Sequence, residues 1–425
     1  MFELRIMATF QKTTPVISFS EARAVVEREA ERTSPVEHQL VPLEQAYGRV
    51  LAESIRADRD QPPFPRSARD GFAVRSAELQ QVPARLRVLG DIKAGVESLP
   101  ELTEPQTAWA IMTGAPAPHG ADAVLMVEHS RAIGEVEIEA LRTLKTGENI
   151  VAPGSEIAQG SVLIEAGTRL RANAIAAAAS VGAAQVSVYR KPRVAIITTG
   201  DELVDIAEKP GPYKIRNSNR WSIGAHVIAA GGEAVPMGTA RDNVAEIRER
   251  VAEAMASCDM VLLSGGVSMG KHDLVEGVLE EFSAEFHYRG VAMQPGKPAV
   301  FCHCKHQGRS VPVFGLPGNP VSSMVSFATL ARTVLHALAG RGVVPLRLAW
   351  LPLASDMRTT AGLTRFLPAT ITGAFTSSVV EPRKWQGSGD LAATSRANAF
   401  IVLAPDREFF AAGEFIPVLI PEADL

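Results

Sequence analysis

The sequence predicts a multidomain α/β protein, and three observations carry that prediction. Apolar strands alternate with amphipathic helices from residue 191 to about 340, and short valine- and isoleucine-rich strands broken by glycine and proline fill residues 66–152 and 345–425. The length of 425 residues exceeds what one ordinary core holds. Alternating βα units imply a parallel sheet with ligands at the carboxyl ends of its strands. The first short-strand region reads as a small, mostly-β domain, and the second as a small β barrel or sandwich. With 46% hydrophobic and 21% charged residues, the chain is not organised by disorder. A net charge of -4 argues against a general nucleic-acid-binding surface, which needs clustered bases. No apolar run is read as approaching a membrane span, and the start Met1-Phe-Glu-Leu-Arg-Ile6 lacks a sustained apolar stretch. A cytoplasmic protein with a loose tail over residues 1–14 is expected.

Taken in order, the first helix begins at Ser18, whose hydroxyl forms a capping-box pattern with Glu21, and Ala22, Val25, Val26 and Ala30 share its inward face. It ends before Pro35. Residues 41–58 read as a short helix and a strand, whereas Gln61-Pro-Pro-Phe-Pro65 resists both and reads as a hinge. Strand candidates follow at Arg85-Leu-Arg-Val-Leu89, Ala121-Asp-Ala-Val-Leu-Met-Val-Glu128 and Val136-Glu-Ile-Glu139. The alanine-rich helix of residues 173–182 could rejoin the N-terminal helix, making the β region between them an insertion. Val194-Ala-Ile-Ile197, Met260-Val-Leu-Leu263 and Val311-Pro-Val-Phe314 are buried-strand patterns. Between them Val244, Ile247, Val251 and Met255 fall on one helical face.

Each of those strands runs into a glycine loop: Thr198-Thr-Gly-Asp-Glu202, Ser264-Gly-Gly-Val-Ser-Met-Gly-Lys-His-Asp273 and Leu316-Pro-Gly-Asn-Pro320. Gly265 and Gly266 let backbone N–H groups turn toward an anion where a helix terminus carries partial positive charge. Asp201, Glu202, Asp242 and Asp273 sit at loop ends, where carboxylates facing anion loops could hold a hard cation beside a phosphate. Asp242 and Asp273 also fit helix caps, the latter with Glu276, and Asn319-Pro320 fits N-cap and N1 of a helix. Lys297 is framed by prolines in Pro295-Gly-Lys-Pro298, which lessens the entropy lost when its ammonium meets an anion. Cys258, Cys302 and Cys304 cannot make a disulfide framework. In a strand, Cys302-His-Cys-Lys-His306 places Cys302 and Cys304 on one side and His303 on the other, so it reads as an edge strand with chance thiols, not zinc. There is no Walker loop, no G-x-G-x-x-G, no G-x-S-x-G and no H-E-x-x-H, which weakens P-loop, dehydrogenase, hydrolase-elbow and zincin readings.

In order along the chain, Ser67-Ala-Arg-Asp-Gly-Phe-Ala73, Ile111-Met-Thr-Gly-Ala115, Gly120-Ala-Asp-Ala-Val124, Thr199-Gly-Asp-Glu-Leu203, Ser264-Gly-Gly-Val-Ser268, Pro295-Gly-Lys-Pro298, Leu316-Pro-Gly-Asn-Pro-Val-Ser322 and Gln386-Gly-Ser-Gly389 resemble the molybdopterin molybdenumtransferases, the bacterial MoeA and gephyrin E-domain family. The resemblance runs from about Phe19 to the C-terminus. It implies an N-terminal α+β domain over 15–60 and 152–188, an inserted β domain over 61–151, a molybdopterin-binding parallel-sheet α/β domain over 189–341, and a C-terminal β barrel over 342–425. It implies a cytoplasmic homodimer that takes adenylylated molybdopterin and molybdate as substrates, releases AMP with Mg2+, and leaves molybdenum on the dithiolene sulfurs. Transient contact with a molybdopterin adenylyltransferase and with molybdoenzymes is implied too, without nucleic acid or membrane. By motif, Asp201, Glu202, Asp242 and Asp273 serve the metal and phosphate site, and Asp70 and Thr113 approach from the partner subunit's β domain. Lys297, Ser322 and Ser388 would hold molybdate, a tetrahedral dianion. Gly200, Ser264, Gly265, Gly266, Ser268, Pro295, Gly296, Pro317, Gly318, Asn319 and Arg365 complete the cofactor-binding set.

The chain departs from the family pattern at Arg69, where an apolar residue is common, and at Gln294, where a lysine is. The arginines that usually bracket the phenylalanine of the last domain are not at their expected spacing around Phe366, although Arg365 is close. Losing cations beside the molybdate pocket is expected to weaken oxyanion binding unless Arg69 or Arg365 replaces the lost charge. Two rival readings are a molybdopterin adenylyltransferase and a non-catalytic molybdopterin-binding or scaffold protein. Asp70 and Thr113 on the inserted domain favour insertion over the first, and the acid set over the second.

Overall fold

In the computed structural model, residues 16–266, 274–374 and 376–421 are described; the tail over 1–14, Ser268 and Asp273 lie outside them. Four parallel strands form the centre, in the spatial order Glu233–Ala240, Arg193–Thr199, Met260–Ser264 and Arg309–Leu316. Val300–His306 and then Glu285–Arg289 extend this sheet antiparallel, so it is mixed rather than wholly parallel. The reason is local. Only Gln307 and Gly308 separate Val300–His306 from Arg309–Leu316, both with positive φ (48° and 78°), and a two-residue hairpin turn cannot make a parallel crossover. Val300–His306 is also internal, not the edge strand expected, since Glu285–Arg289 covers it.

The central strands are buried on both faces, as their continuous apolar runs require. Val194, Ile196, Met260 and Leu262 pack on one side against Ile223 and Val227 of the helix Asn219–Ala229. Ala195, Ile197, Val261 and Leu263 pack on the other against Ile247, Val251 and Met255 of the helix Val244–Ser257. Successive connections thus cover opposite faces, and the order reverses between Arg193–Thr199 and Met260–Ser264, where a crevice opens beyond the carboxyl ends. The helix Phe19–Arg32, with the reciprocal Ser18–Glu21 capping box, adds Ala22 and Val26 to the first core.

The helical run Pro320–Leu338, with a π-turn at Phe327–Ala331, lies in the same core. Contrary to the expectation that no run approaches that length, its 19 residues are long and apolar enough to cross a bilayer by length and composition. Its most apolar window is 89% buried inside the fold, which is the burial of a core helix.

A second six-stranded sheet has the order Ala123–Met126, Gly71–Val74, Thr107–Ile111, Ala84–Ile92, Glu137–Ala140 and Ser130–Ala132. On either side of it in sequence, His38–Pro42 pairs with Gln185–Tyr189 and Ile55–Arg56 with Val162–Ile164. The C-terminal strands form an open half-barrel, not the closed barrel expected. The sheet runs Ile17–Ser18, Val291–Gln294, Thr364–Thr372, Ala399–Leu403, Phe415–Leu419 and Ala349–Pro352, with Val379–Pro382 also on Thr364–Thr372. Two strands from elsewhere in the chain extend it, Met357–Arg358 and Phe409–Phe410 pair apart, and among the described residues only the isolated Leu353–Val380 bridge spans the opening.

Candidate active site

The crevice beyond the carboxyl ends of the parallel strands encloses about 1010 Å³. Of the residues singled out in the sequence, Gly200, Glu202, Asp242, Ser264, Gly265, Gly266, Pro317, Gly318 and Asn319 line it. The three glycine loops therefore converge. Gly265 and Gly266 have φ of +95° and +64°, and a Cβ on Gly265 would stand 2.5 Å from the Thr199 carbonyl oxygen, so the close approach of these loops requires glycine.

Two asparagines that the sequence reading passed over hold the loops together. The Asn219 amide donates to Ser264 Oγ at 2.8 Å and to the Gly318 carbonyl at 2.7 Å, bridging the second and third loops. The Asn217 amide donates to the hydroxyls of Thr198 (2.7 Å) and Thr239 (3.0 Å), joining two strand ends. Asn219 Oδ1 and Thr199 Oγ1 are buried without a hydrogen-bond partner among the described residues, and both residues line the crevice. An orphaned buried polar atom at a cleft wall is a ready ligand contact. The available sequence signal was Asn217-Ser-Asn219 at the start of a helix.

Helix starts on the crevice also differ from their sequence reading. Asp242 does not cap the helix Val244–Ser257; Asn243 does, accepting from the backbone N–H groups of Ala245 and Glu246. The Asp242 side chain is exposed in the crevice, and its backbone N–H donates to Asp201 Oδ1 at 3.3 Å. Asn319 stands at the N-cap before Pro320, but its amide reaches away to donate to Ser388 Oγ at 2.8 Å. Ser218 makes no side-chain cap either; the Arg220 N–H donates to Asn217 Oδ1 at 3.2 Å instead, and both helices point their positive ends toward the crevice.

The remaining residues lie apart from the crevice lining. Asp201 is exposed outside the lining, and Ser322 is buried in the first turn of its helix. Ser388 meets the rim through Asn319, and its carbonyl accepts from the Val321 N–H at 3.1 Å. Lys297 is exposed beside Pro298, which does line the crevice. Pro295 and Gly296 are buried, Gly296 so tightly that a Cβ would meet Ser326 Oγ at 2.8 Å. Arg365 is in register with Gln294 on the adjacent strand, but its guanidinium donates to the Thr360 carbonyl. Arg69 is exposed. Asp70 Oδ1 accepts from the Thr113 N–H at 2.6 Å and hydroxyl at 2.9 Å, and those bonds hold the Asp70 carboxyl below its ordinary range. Neither residue lines the crevice of its own chain. The three cysteines are free and buried.

Asp201, Glu202 and Asp242 do not close into a three-carboxylate cage among the described residues. Their donors are all oxygens at an anion-binding cleft, however, which fits Mg2+. That ion keeps several waters and binds through one or two carboxylates plus substrate phosphates.

Sequence-family comparison matches three successive regions: "MoeA N-terminal region (domain I and II)" over residues 17–182, "Probable molybdopterin binding domain" over 195–337, and "MoeA C-terminal region (domain IV)" over 351–420. The chain is 34% identical over 391 residues to the molybdopterin molybdenumtransferase of Bacillus subtilis, covering 90% of each. It is 32% identical over 419 residues to that of Staphylococcus epidermidis, covering 97% of each. Among solved structures, the molybdopterin biosynthesis moeA protein of Pyrococcus horikoshii OT3 superposes with a TM-score of 0.79 at 28% identity, over 96% of this chain and 100% of that one.

Proposed function

This chain belongs to the MoeA family of molybdopterin molybdenumtransferases, and from that premise we propose that it transfers molybdenum from molybdate to adenylylated molybdopterin, releasing AMP, as a cytoplasmic homodimer. The observation that carries the proposal is the crevice of about 1010 Å³ into which three glycine loops and two acids converge. Its size suits a pterin joined to a nucleotide. The Gly266 turn and the positive ends of the helices that begin at Asn219 and Pro320 supply fixed positive partial charge for a phosphoanhydride.

Glu202 and Asp242 would hold Mg2+, with Asp201 positioning Asp242 through its backbone N–H, and the bound ion would neutralise charge on the anhydride. Asp273 is assigned to the same set by motif. Asn219 Oδ1 and Thr199 Oγ1, otherwise unpartnered, would take polar groups of the pterin nucleotide. We assign molybdate to the Lys297–Ser388 rim with Ser322 beneath, and the substrate's dithiolene, not a buried protein thiol, to the transferred metal. Because Asp70 and Thr113 are turned from their own crevice, we propose that they complete the partner's. The four-domain division at residues 61, 152, 189 and 342 is part of the same proposal, supported by strand pairings that bracket the second sheet.

The test is incubation of purified protein with adenylylated molybdopterin, Mg2+ and molybdate, measuring AMP together with metal-loaded cofactor. AMP that appears only with molybdate, alongside loaded cofactor, is expected. Binding of the adenylylated pterin without AMP release would make the chain a binding protein instead.

A further inference from the structure

Cys302 and Cys304 face the core, their sulfurs 3.8 Å apart, and His303 faces the opposite side of the strand. On that side it has company. His287, on the neighbouring edge strand, sits where the register slips between Phe286 and Tyr288, and the bulge turns its ring toward His303. His287 Nε2 lies 2.8 Å from His303 Nδ1 and 3.9 Å from Glu29 Oε2, which comes from the helix Phe19–Arg32. The three donor atoms all lie within 4.8 Å of one another, and no other trio of this kind occurs among the described residues.

We infer that Glu29, His287 and His303 form a site for a divalent transition-metal ion of the zinc type, separate from the crevice. Zn–N bonds of about 2.0–2.1 Å place tetrahedral ligands about 3.3 Å apart, and the spacings of 2.8 and 3.9 Å bracket that value. Two imidazoles and one carboxylate suit zinc, cobalt or nickel better than magnesium or calcium. Glu29 is pre-aimed: its Oε1 accepts from Arg32 at 3.1 Å, which leaves Oε2 toward the histidines. The His287 ring is braced on Phe301, with centroids 4.7 Å apart. The trio opens on a cavity of about 560 Å³, from which water supplies a fourth ligand. Glu37, Asp259 and Glu285 on the cavity wall offset Arg32, Arg190 and Arg309, so charge does not bar a dication. Such an ion would clip the first helix to the sheet edge.

Cobalt substitution tests the site independently of catalysis. Full-length protein stripped with chelator is titrated with Co2+ under excess Mg2+, which occupies oxygen-only sites, and the visible absorption of four-coordinate cobalt is recorded. One equivalent per chain is expected, with the signal lost in His303→Ala and His287→Gln, kept in Asp242→Asn, and shifted to about 10- to 100-fold weaker binding in Arg32→Ala. Zinc should raise the unfolding temperature of the parent but not of Glu29→Gln, the milder variant should a histidine change prevent folding. Absence of the absorption, its persistence in both histidine variants, or its loss in Asp242→Asn instead would overturn the inference.

Discussion

At the residue scale, two adjacent acids have different surroundings. Glu202 lines the crevice, whereas Asp201 does not and accepts from the Asp242 backbone N–H. Both stand in the turn after Thr199, where adjacent side chains can take different directions, so their adjacency in sequence could not apportion the roles. Glu202→Gln should lower AMP release by at least about tenfold, with partial recovery as Mg2+ is raised. Asp201→Asn should lose less, and extra Mg2+ should not restore it. Equal magnesium rescue in both variants would contradict the division. Glycines were the easiest residues to read, because a positive φ at a strand end has few other solutions. Asn217 and Asn219 were harder, since an asparagine before a helix has an ordinary capping role and only the folded loops show what its amide bridges.

At the element scale, capping was legible as a pattern and ambiguous in its register. Ser18 and Glu21 behave as read, but the helix Val244–Ser257 takes its cap from Asn243 and releases Asp242 to the crevice. Asn243→Ala should therefore destabilise by about 1 kcal/mol, while Asp242→Ala should stay within about 0.5 kcal/mol of the parent. Urea unfolding of the two variants measures both, and a larger loss at Asp242 would reinstate it as the cap. Strand faces follow the same logic. Alternation correctly separated His303 from its flanking cysteines, but it could not show that a bulged neighbour and a distant helix would meet it.

At the scale of the whole molecule, segments distant in sequence are joined by pairings and by a half-buried ion pair. Arg190, after the strand Gln185–Tyr189, meets Asp259 with two bonds of 2.6 and 2.8 Å at the foot of Met260–Ser264, and the Arg193 N–H adds a third. Burial alone would raise the Asp259 pKa, but these partners outweigh it and hold the carboxyl below its ordinary value. A carboxyl depressed on folding contributes stability above its unfolded pKa, and the contribution is lost as pH falls through the folded value. Asp259→Ala should cost about 3 kcal/mol at neutral pH, the lower end for a buried pair because Arg190 stays partly in water. The gap from the parent should narrow below about pH 4. Urea transitions at neutral and acid pH check both, and a pH-independent gap would assign the loss to packing. The sequence by itself determined the α/β class, the three glycine loops, the first helix and the family, because these depend on periodicity and on backbone conformations that few residues tolerate. Only the tertiary structure decided that the sheet turns antiparallel at one edge, that Val291–Gln294 leaves it to pair beside Arg365, that the C-terminal strands stay open, and that Glu29 meets two histidines. Those outcomes depend on which distant surfaces bury one another, and local patterns carry no record of the partner.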